Sequence, residues 1–214
     1  MKNNRQKGDN MIYDITQPLF ECEVYPGDSK PEKREIYRIS KGDSYNLTDI
    51  SLCVHNGTHV DAPYHFYQDG KGIAQIALEK FIGPAYVITH NGDVTEIDAK
   101  NMIKMASEAN PNAKNKILIR GNATITLEAA KVFAQAGLDL IGNESQTVGS
   151  EAEEVEVHLE LLKAEVVILE GIRLKCVPDG VYLLNSAPLN LADTDGAPCR
   201  AVLMDLQNPF SVIN

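Results

Sequence analysis

Between His55 and His65 the chain reads His-Asn-Gly-Thr-His-Val-Asp-Ala-Pro-Tyr-His, and no other stretch restricts its local fold so tightly. Gly57 and Pro63 oppose a helix, glycine through its backbone entropy and proline through its missing N–H. In an extended chain His55, His59, Asp61 and His65 take odd positions and point to one side, while Thr58, Val60, Ala62 and Tyr64 point to the other. A straight strand would hold His55 and His59 about 13 Å apart, too far to share an ion with bonds of about 2 Å. To share one, the chain must bend between them, and Gly57 is the residue that permits it. Pro63 predicts a second bend that separates His65 from the other three. The segment holds three of the five histidines in the chain. A polar exposed strand edge would account for one histidine, but poorly for three in phase with an aspartate. Imidazole and carboxylate donors without thiolate suit zinc or manganese.

The rest of the chain supplies the frame. Its 214 residues suit one domain, and 43% hydrophobic with 23% charged residues gives ample material for a core. A short apolar start is expected at 11–15, after a disordered lead at 1–10 that has basic residues but no apolar stretch of a signal peptide. Tyr25-Pro26-Gly27-Asp28 predicts a turn. From Thr48 the alternation of Ile50, Leu52 and Val54 with Asp49, Ser51, Cys53 and His55 predicts a half-buried strand. Further on, apolar runs at 84–89, 116–119, 138–141 and 166–169 predict strands. They alternate with helices expected at 97–106, 126–136 and 152–163, the first two capped by Thr95 and Thr126. Strands at 181–184 and 201–204 follow the Pro178-Asp179-Gly180 turn. The pattern implies an α/β fold with a mixed sheet, in a single domain over 11–214.

Twenty Lys+Arg against 30 Asp+Glu leave a formal charge of −10, which excludes a general phosphate-backbone binder. No apolar run approaches the roughly 20 residues of a membrane helix. Cys22, Cys53, Cys176 and Cys199 are widely spaced and form no C-x-x-C pair, which implies a reduced, cytoplasmic protein. Cys53 reads as a small buried filler, and His90 as structural. His158 shares a helical stripe with Val155 and Leu162, so it faces the interior either as a core histidine or as a ligand. Glu170 ends the run 166–169, at the end of a strand where α/β folds place site residues, or where a carboxylate is merely solvated.

The segment from His55 to His65 resembles the H-x-G-T-H-x-D-x-P-x-H signature of the metal-dependent cyclase superfamily, whose members include kynurenine formamidases and isatin hydrolases. Further echoes are Tyr25-Pro26-Gly27-Asp28, Phe81-Ile82-Gly83-Pro84-Ala85, His158 with Glu170-Gly171, Ala187-Pro188-Leu189, and the stretch from Asp195 to Leu203. The resemblance implies a mixed-sheet β/β/α domain of the swivelling type that forms homodimers or homotetramers. It implies two divalent ions, zinc or manganese, on His55, His59, Asp61, His158 and Glu170, with Asp61 reaching both. His65 is implied as the proton-transfer group. Tyr25 stands where formamidases carry a substrate-packing Trp, and this chain has no Trp. Glu144 and Thr147 replace an Asp and a Ser of the family pattern, and Arg120-Gly121 replaces Arg-Thr.

The implied activity is hydrolysis of a small amide of the N-formylkynurenine type by metal-activated water. A lactam-directed relative acting on an isatin-like ring is the second expectation, and a non-catalytic metal-binding module the third. The partner in the first two is a small molecule, with neither nucleic acid nor membrane involved.

Overall fold

The computed structural model describes residues 11–206. The lead expected at 1–10 and the last eight residues of the expected domain lie outside the described residues. In chain order the strands are β1 (Ile12–Asp14), β2 (Glu32–Tyr37), β3 (Leu47–Ser51), β4 (His59–Asp61), β5 (Ile82–Thr89) and β6 (Gly92–Val94). After helix α1 (Glu96–Ala109) come β7 (Lys116–Arg120), β8 (Ala123–Ile125), α2 (Leu127–Gln135), β9 (Leu140–Asn143), α3 (Glu154–Lys163) and β10 (Val167–Glu170). The chain then forms β11 (Gly180–Asn185), β12 (Gly196–Pro198) and β13 (Val202–Asp205).

One nine-stranded sheet organises the molecule, in the order β1-β13-β11-β5-β7-β9-β10-β4-β12. Its centre, β5-β7-β9-β10, is parallel. These are the apolar runs of the sequence, and burial on both faces explains why they lack polar alternation. On either side the pairing turns antiparallel, through β11, β13 and β1 at one edge and β4 and β12 at the other. Successive residues alternate between two cores. Ile117, Ile119 and Ile168 join Met102, Phe133, Leu161 and Leu162 under the three helices, whereas Leu118, Val167 and Leu169 join Val60, Phe81 and Leu184 on the opposite face. This is the mixed α/β architecture expected.

The helix starts follow their sequence signals. The Thr95 side chain accepts from Asp98 N, and Asp98 returns the bond to Thr95 N, closing a capping box at α1. At α2 the Thr126 side chain accepts from Ala129 N, a cap without the reciprocal bond. The turn at Tyr25 forms as well, with Asp28 N donating to Tyr25 O at 3.0 Å.

The expected half-buried strand beyond Thr48 needs correction. β3 stops at Ser51 and pairs only with β2, and every residue of it is exposed. Ile50 is 58% exposed, so the alternation there marks no buried face. Residues 52–58 form turns instead, and Cys53 is half-buried in one of them, with its N donating to Asn56 Oδ1.

Candidate metal centre

The bend expected at Gly57 is present: its φ is +68°, a conformation that favours glycine. It brings the His55 ring to within 5.1 Å of the His59 ring, centroid to centroid. β4 then carries His59 and Asp61 on one face, with Val60 turned into the core behind them. Its neighbour β10 runs antiparallel, with Glu170 opposite His59 and Ile168 opposite Asp61. That register puts Glu170 on the face of His59 and Asp61, the face covered by α3.

From α3 comes His158. It is buried with Val157, Leu161 and Leu162, whereas Val155 is 48% exposed, so the stripe expected through Val155 is corrected by a rotation of the buried face. The bend at Pro63 exists as a short 3-10 turn over Pro63–His65. It does not separate His65 from the others as expected. Instead it folds the ring back to 4.2 Å from that of His55. His90 stays apart, with Nε2 against Asp93 O on the surface.

The result is a convergence of imidazoles and carboxylates. His59 Nε2 lies 3.4 Å from Asp61 Oδ1 and 3.3 Å from Glu170 Oε2, while His158 Nε2 lies 3.6 Å from Asp61 Oδ2 and 3.4 Å from Glu170 Oε1. His55 Nδ1 is 3.0 Å from Asp61 Oδ1. Two donor sets therefore share Asp61, namely His55–His59–Asp61 and Asp61–His158–Glu170, and within each the ligand atoms lie no more than 4.8 Å apart.

Whether these residues fit a cation is decided by two atoms. His59 Nε2 and Asp61 Oδ2 are buried without a hydrogen-bond partner. Orphaned polar atoms of this kind are rare in a folded interior and call for a ligand. The outer nitrogens are already occupied, since His59 Nδ1 faces Gly57 O at 3.0 Å and His158 Nδ1 faces Glu154 O at 2.6 Å. A carbonyl only accepts, so both rings carry a proton on Nδ1, and Nε2 is the nitrogen each turns inward, where a cation would take the place of a proton. The donor set fits a divalent cation.

With no cation bound, the neighbouring carboxylates set the protonation of these rings. Burial would push the His55 imidazole down, but the Asp195 and Asp61 carboxylates overcome it and raise it to about 11. His158 is likewise opposed by burial and raised to about 10 by Asp61 and Glu170. Asp61 is fully enclosed, which works against its charge, yet His158 and His55 hold it well below the usual carboxylate range. Without a cation the centre is thus a buried network of carboxylates and imidazoliums.

Above the centre lies a cavity of about 260 Å³, lined by Tyr25, Asp28, Phe66, Gln146, Thr147 and Glu154 as well as the histidines. Tyr25 lines it, and its hydroxyl donates to Glu154 Oε1 at 2.5 Å. That carboxylate, with some burial, pushes the phenol up to about 12. Phe66 stacks on His158 at 4.9 Å. Glu144 stays out of the cavity, where it accepts hydrogen bonds from Gly121 N and Leu174 N.

One participant was not assigned from the sequence. Asp195 Oδ2 lies 2.7 Å from His55 Nε2 and 3.3 Å from His65 Nδ1. Asp195 opens the stretch to Leu203 that resembles the family, without a role assigned to it, and the pairing of β12 with β4 delivers it here.

Fold and site together define a mixed α/β domain built around a carboxylate–imidazole centre for divalent cations. The chain belongs to the cyclase family, whose model matches residues 13–150. It is 30% identical to the kynurenine formamidase of Erythrobacter litoralis strain HTCC2594 over 94% of this chain and 96% of that one. Among solved structures, a protein described as a potential metal-dependent hydrolase with cyclase activity superposes with a TM-score of 0.76 at 26% identity, covering 92% of this chain and 98% of the other. Isatin hydrolase A from Labrenzia aggregata shares the fold, with a TM-score of 0.75 at 21% identity over 92% and 94% of the two chains.

Proposed function

We propose that this chain is a metal-dependent amidohydrolase that cleaves a small arylformamide of the N-formylkynurenine type. The observation that carries the reading is the pair of orphaned atoms, His59 Nε2 and Asp61 Oδ2, buried where two donor sets meet. Full-length kynurenine formamidases at about this level of identity support the substrate class.

His55, His59 and Asp61 would hold one ion and Asp61, His158 and Glu170 a second, either zinc or manganese. Such ions, when bound, supply Lewis acidity that makes water a nucleophile near neutral pH and polarises a carbonyl. The chain's own residues do the remainder. His65 lines the cavity with Nδ1 toward Asp195, which leaves Nε2 as the atom that carries a proton from attacking water to the leaving nitrogen. Water oxygen bonds to the formyl carbon, the C–N bond breaks, and formate and an arylamine leave. Phe66 offers an aromatic wall, while the Asp28 and Glu154 carboxylates suit the ammonium group of an amino-acid substrate.

A second reading, hydrolysis of a compact lactam such as an isatin-like ring, is favoured by one feature. The Tyr25 hydroxyl is tied to Glu154, and both residues line the cavity of about 260 Å³, a space that suits a compact ring. To decide, metal-stripped protein is reloaded with Zn²⁺ or Mn²⁺ and offered N-formylkynurenine, isatin and unsubstituted lactams. Turnover of the formamide that a chelator abolishes supports the first reading, and turnover of the lactams alone supports the second. Metal binding with no turnover of any of them would leave a non-catalytic module.

We further infer that residues 11–214 act as one domain in the cytoplasm, a compartment that suits the exposed thiol of Cys176. Assembly into a homodimer or homotetramer is supported by the β2–β3 hairpin, which exposes Tyr37, Tyr45, Leu47 and Ile50. No helix among the described residues is long and apolar enough to cross a membrane.

A further inference from the structure

Asp195 places one carboxylate oxygen against two different histidines, and the orientation of His55 shows what that contact does. His59 and His158 each rest Nδ1 on a backbone carbonyl and turn Nε2 inward. His55 is reversed. Its Nδ1 faces Asp61, and its Nε2 points outward to Asp195 Oδ2 at 2.7 Å. The acceptor on the outer nitrogen of this ring is therefore a side chain rather than the backbone.

We propose that Asp195 is a positioning residue: it accepts the Nε2 proton of His55, so that Nδ1 is the nitrogen that exchanges its proton for an ion, and through the same oxygen it holds His65 beside that ring. The inference rests on the metal-hydrolase reading above and deepens it.

The surrounding structure holds Asp195 in place. β12 pairs with β4 so that Gly196 lies opposite Asp61, and Ala62 N donates to Asp195 O at 2.8 Å. Before it, Thr194 Oγ1 donates to Leu191 O and Gly196 O, while Ile73 N donates to Thr194 O. Gly196 adds a steric constraint. A Cβ built there would lie 2.9 Å from His55 Cε1 and 2.8 Å from Val60 O. The ring edge that carries both nitrogens of His55 therefore rests directly on this backbone.

A carboxylate partner on a metal-binding imidazole fixes its tautomer and raises its basicity. Losing such a partner typically reduces metal affinity or activity by about 10- to 100-fold. His65 adds a second dependence. Its ring lies 4.2 Å from that of His55 at a tilt of 33°, and its Nδ1 is 3.3 Å from the shared oxygen. Removing Asp195 should thus disturb both ion binding and proton transfer, without removing a ligand.

The test titrates metal-stripped full-length wild type, Asp195→Ala and Asp195→Glu with Zn²⁺ by calorimetry. It also records ¹⁵N spectra of the imidazoles in the loaded proteins and steady-state hydrolysis of N-formylkynurenine or of whichever lactam the wild type turns over. Asp195→Ala should bind the same number of ions as wild type with about 10- to 100-fold weaker affinity. Its kcat should fall by a larger factor than its KM changes, and the protonated Nε2 signal of His55 should be altered. Asp195→Glu, which retains the carboxylate, should recover part of each loss. Affinity and kcat within about two-fold of wild type in Asp195→Ala would overturn the proposal, because an outer-shell partner should exceed that change. So would outright loss of one bound ion per chain, which would make Asp195 a ligand. A wild type that binds no Zn²⁺ sinks the metal-hydrolase reading itself and this proposal with it. Should Asp195→Ala fail to fold, Asp195→Glu decides: affinity and kcat lowered less than about 10-fold support a role carried by the carboxylate, and a fall beyond about 100-fold overturns it.

Discussion

Glu170 and His59 are register partners on adjacent antiparallel strands, and their side chains meet with Oε2 3.3 Å from Nε2. Glu170 also accepts from Val148 N at 3.0 Å, so its carboxylate is held from one side and open toward the imidazoles on the other. In Glu170→Gln the amide oxygen can retain the Val148 bond while the negative charge is lost. The expected outcome is a folded protein that binds one ion fewer per chain, or binds it more than about 100-fold more weakly, beyond the range typical of an outer-shell partner. Metal analysis after gel filtration, with a thermal melt to confirm folding, checks this.

His65→Ala separates chemistry from ion binding. The ring lines the cavity and belongs to neither donor set that shares Asp61, although with His55 and Asp195 it forms a third, more exposed cluster of potential ligand atoms. The variant should keep the wild-type metal content and lose about 10²- to 10⁴-fold in kcat, the usual contribution of a positioned acid–base group. Retained turnover with retained metal would remove His65 from the mechanism.

Much of the fold and site is legible along the chain, and some of it is not. Strands β5, β7, β9 and β10 were legible because burial on both faces leaves continuous apolar runs such as Val-Val-Ile-Leu. The bend at Gly57 followed from simple reach, since an extended chain cannot bring His55 to His59. β12 gave no such signal. Gly-Ala-Pro has little strand propensity, and pairing with β4 alone makes it a strand. Asp195 opens a stretch that resembles the family, but its contact with His55 depends on that pairing and is not legible along the chain. The alternation in β3 misled because Ile50 is exposed despite its period, and periodicity reports which residues share a face but not whether that face is covered. The return of His65 to His55 was equally invisible, because Pro63 signals a bend but not its direction.

Tyr25→Phe tests the cavity wall. The Tyr25–Glu154 hydrogen bond is exposed, so its loss should leave stability within about 0.5 kcal/mol of wild type. It also frees the Glu154 carboxylate to meet a cationic substituent on the substrate. For a substrate with an ammonium group KM should change, by less than about 10-fold, with kcat nearly constant, the signature of an interaction common to ground and transition states. A neutral lactam should show a smaller effect. Equal shifts for both substrates would indicate that Glu154 does not select for charge.

The pH dependence of the metal-stripped protein follows from the imidazole–carboxylate network. His55 and His158 are raised from 6.5 to about 11 and about 10, so the stability they confer is complete below pH 6.5 and is lost as pH rises through those values. Asp61 and Asp195 are lowered from 3.8, so their contribution is present above that pH and is lost as pH falls further. Both contributions coexist between about pH 4 and 6.5, where the Tm of chelated protein should peak. Cations compete with protons for the same imidazoles, so metal binding releases protons and strengthens as pH rises. The difference in Tm between loaded and chelated protein should therefore widen from about pH 6 to about pH 9. Melts across that range, together with proton release measured in weakly buffered titrations, check both effects. A chelated protein whose Tm climbs steadily toward pH 9 would contradict the paired imidazoles, and a metal-induced gain independent of pH would mean that the cation binds elsewhere.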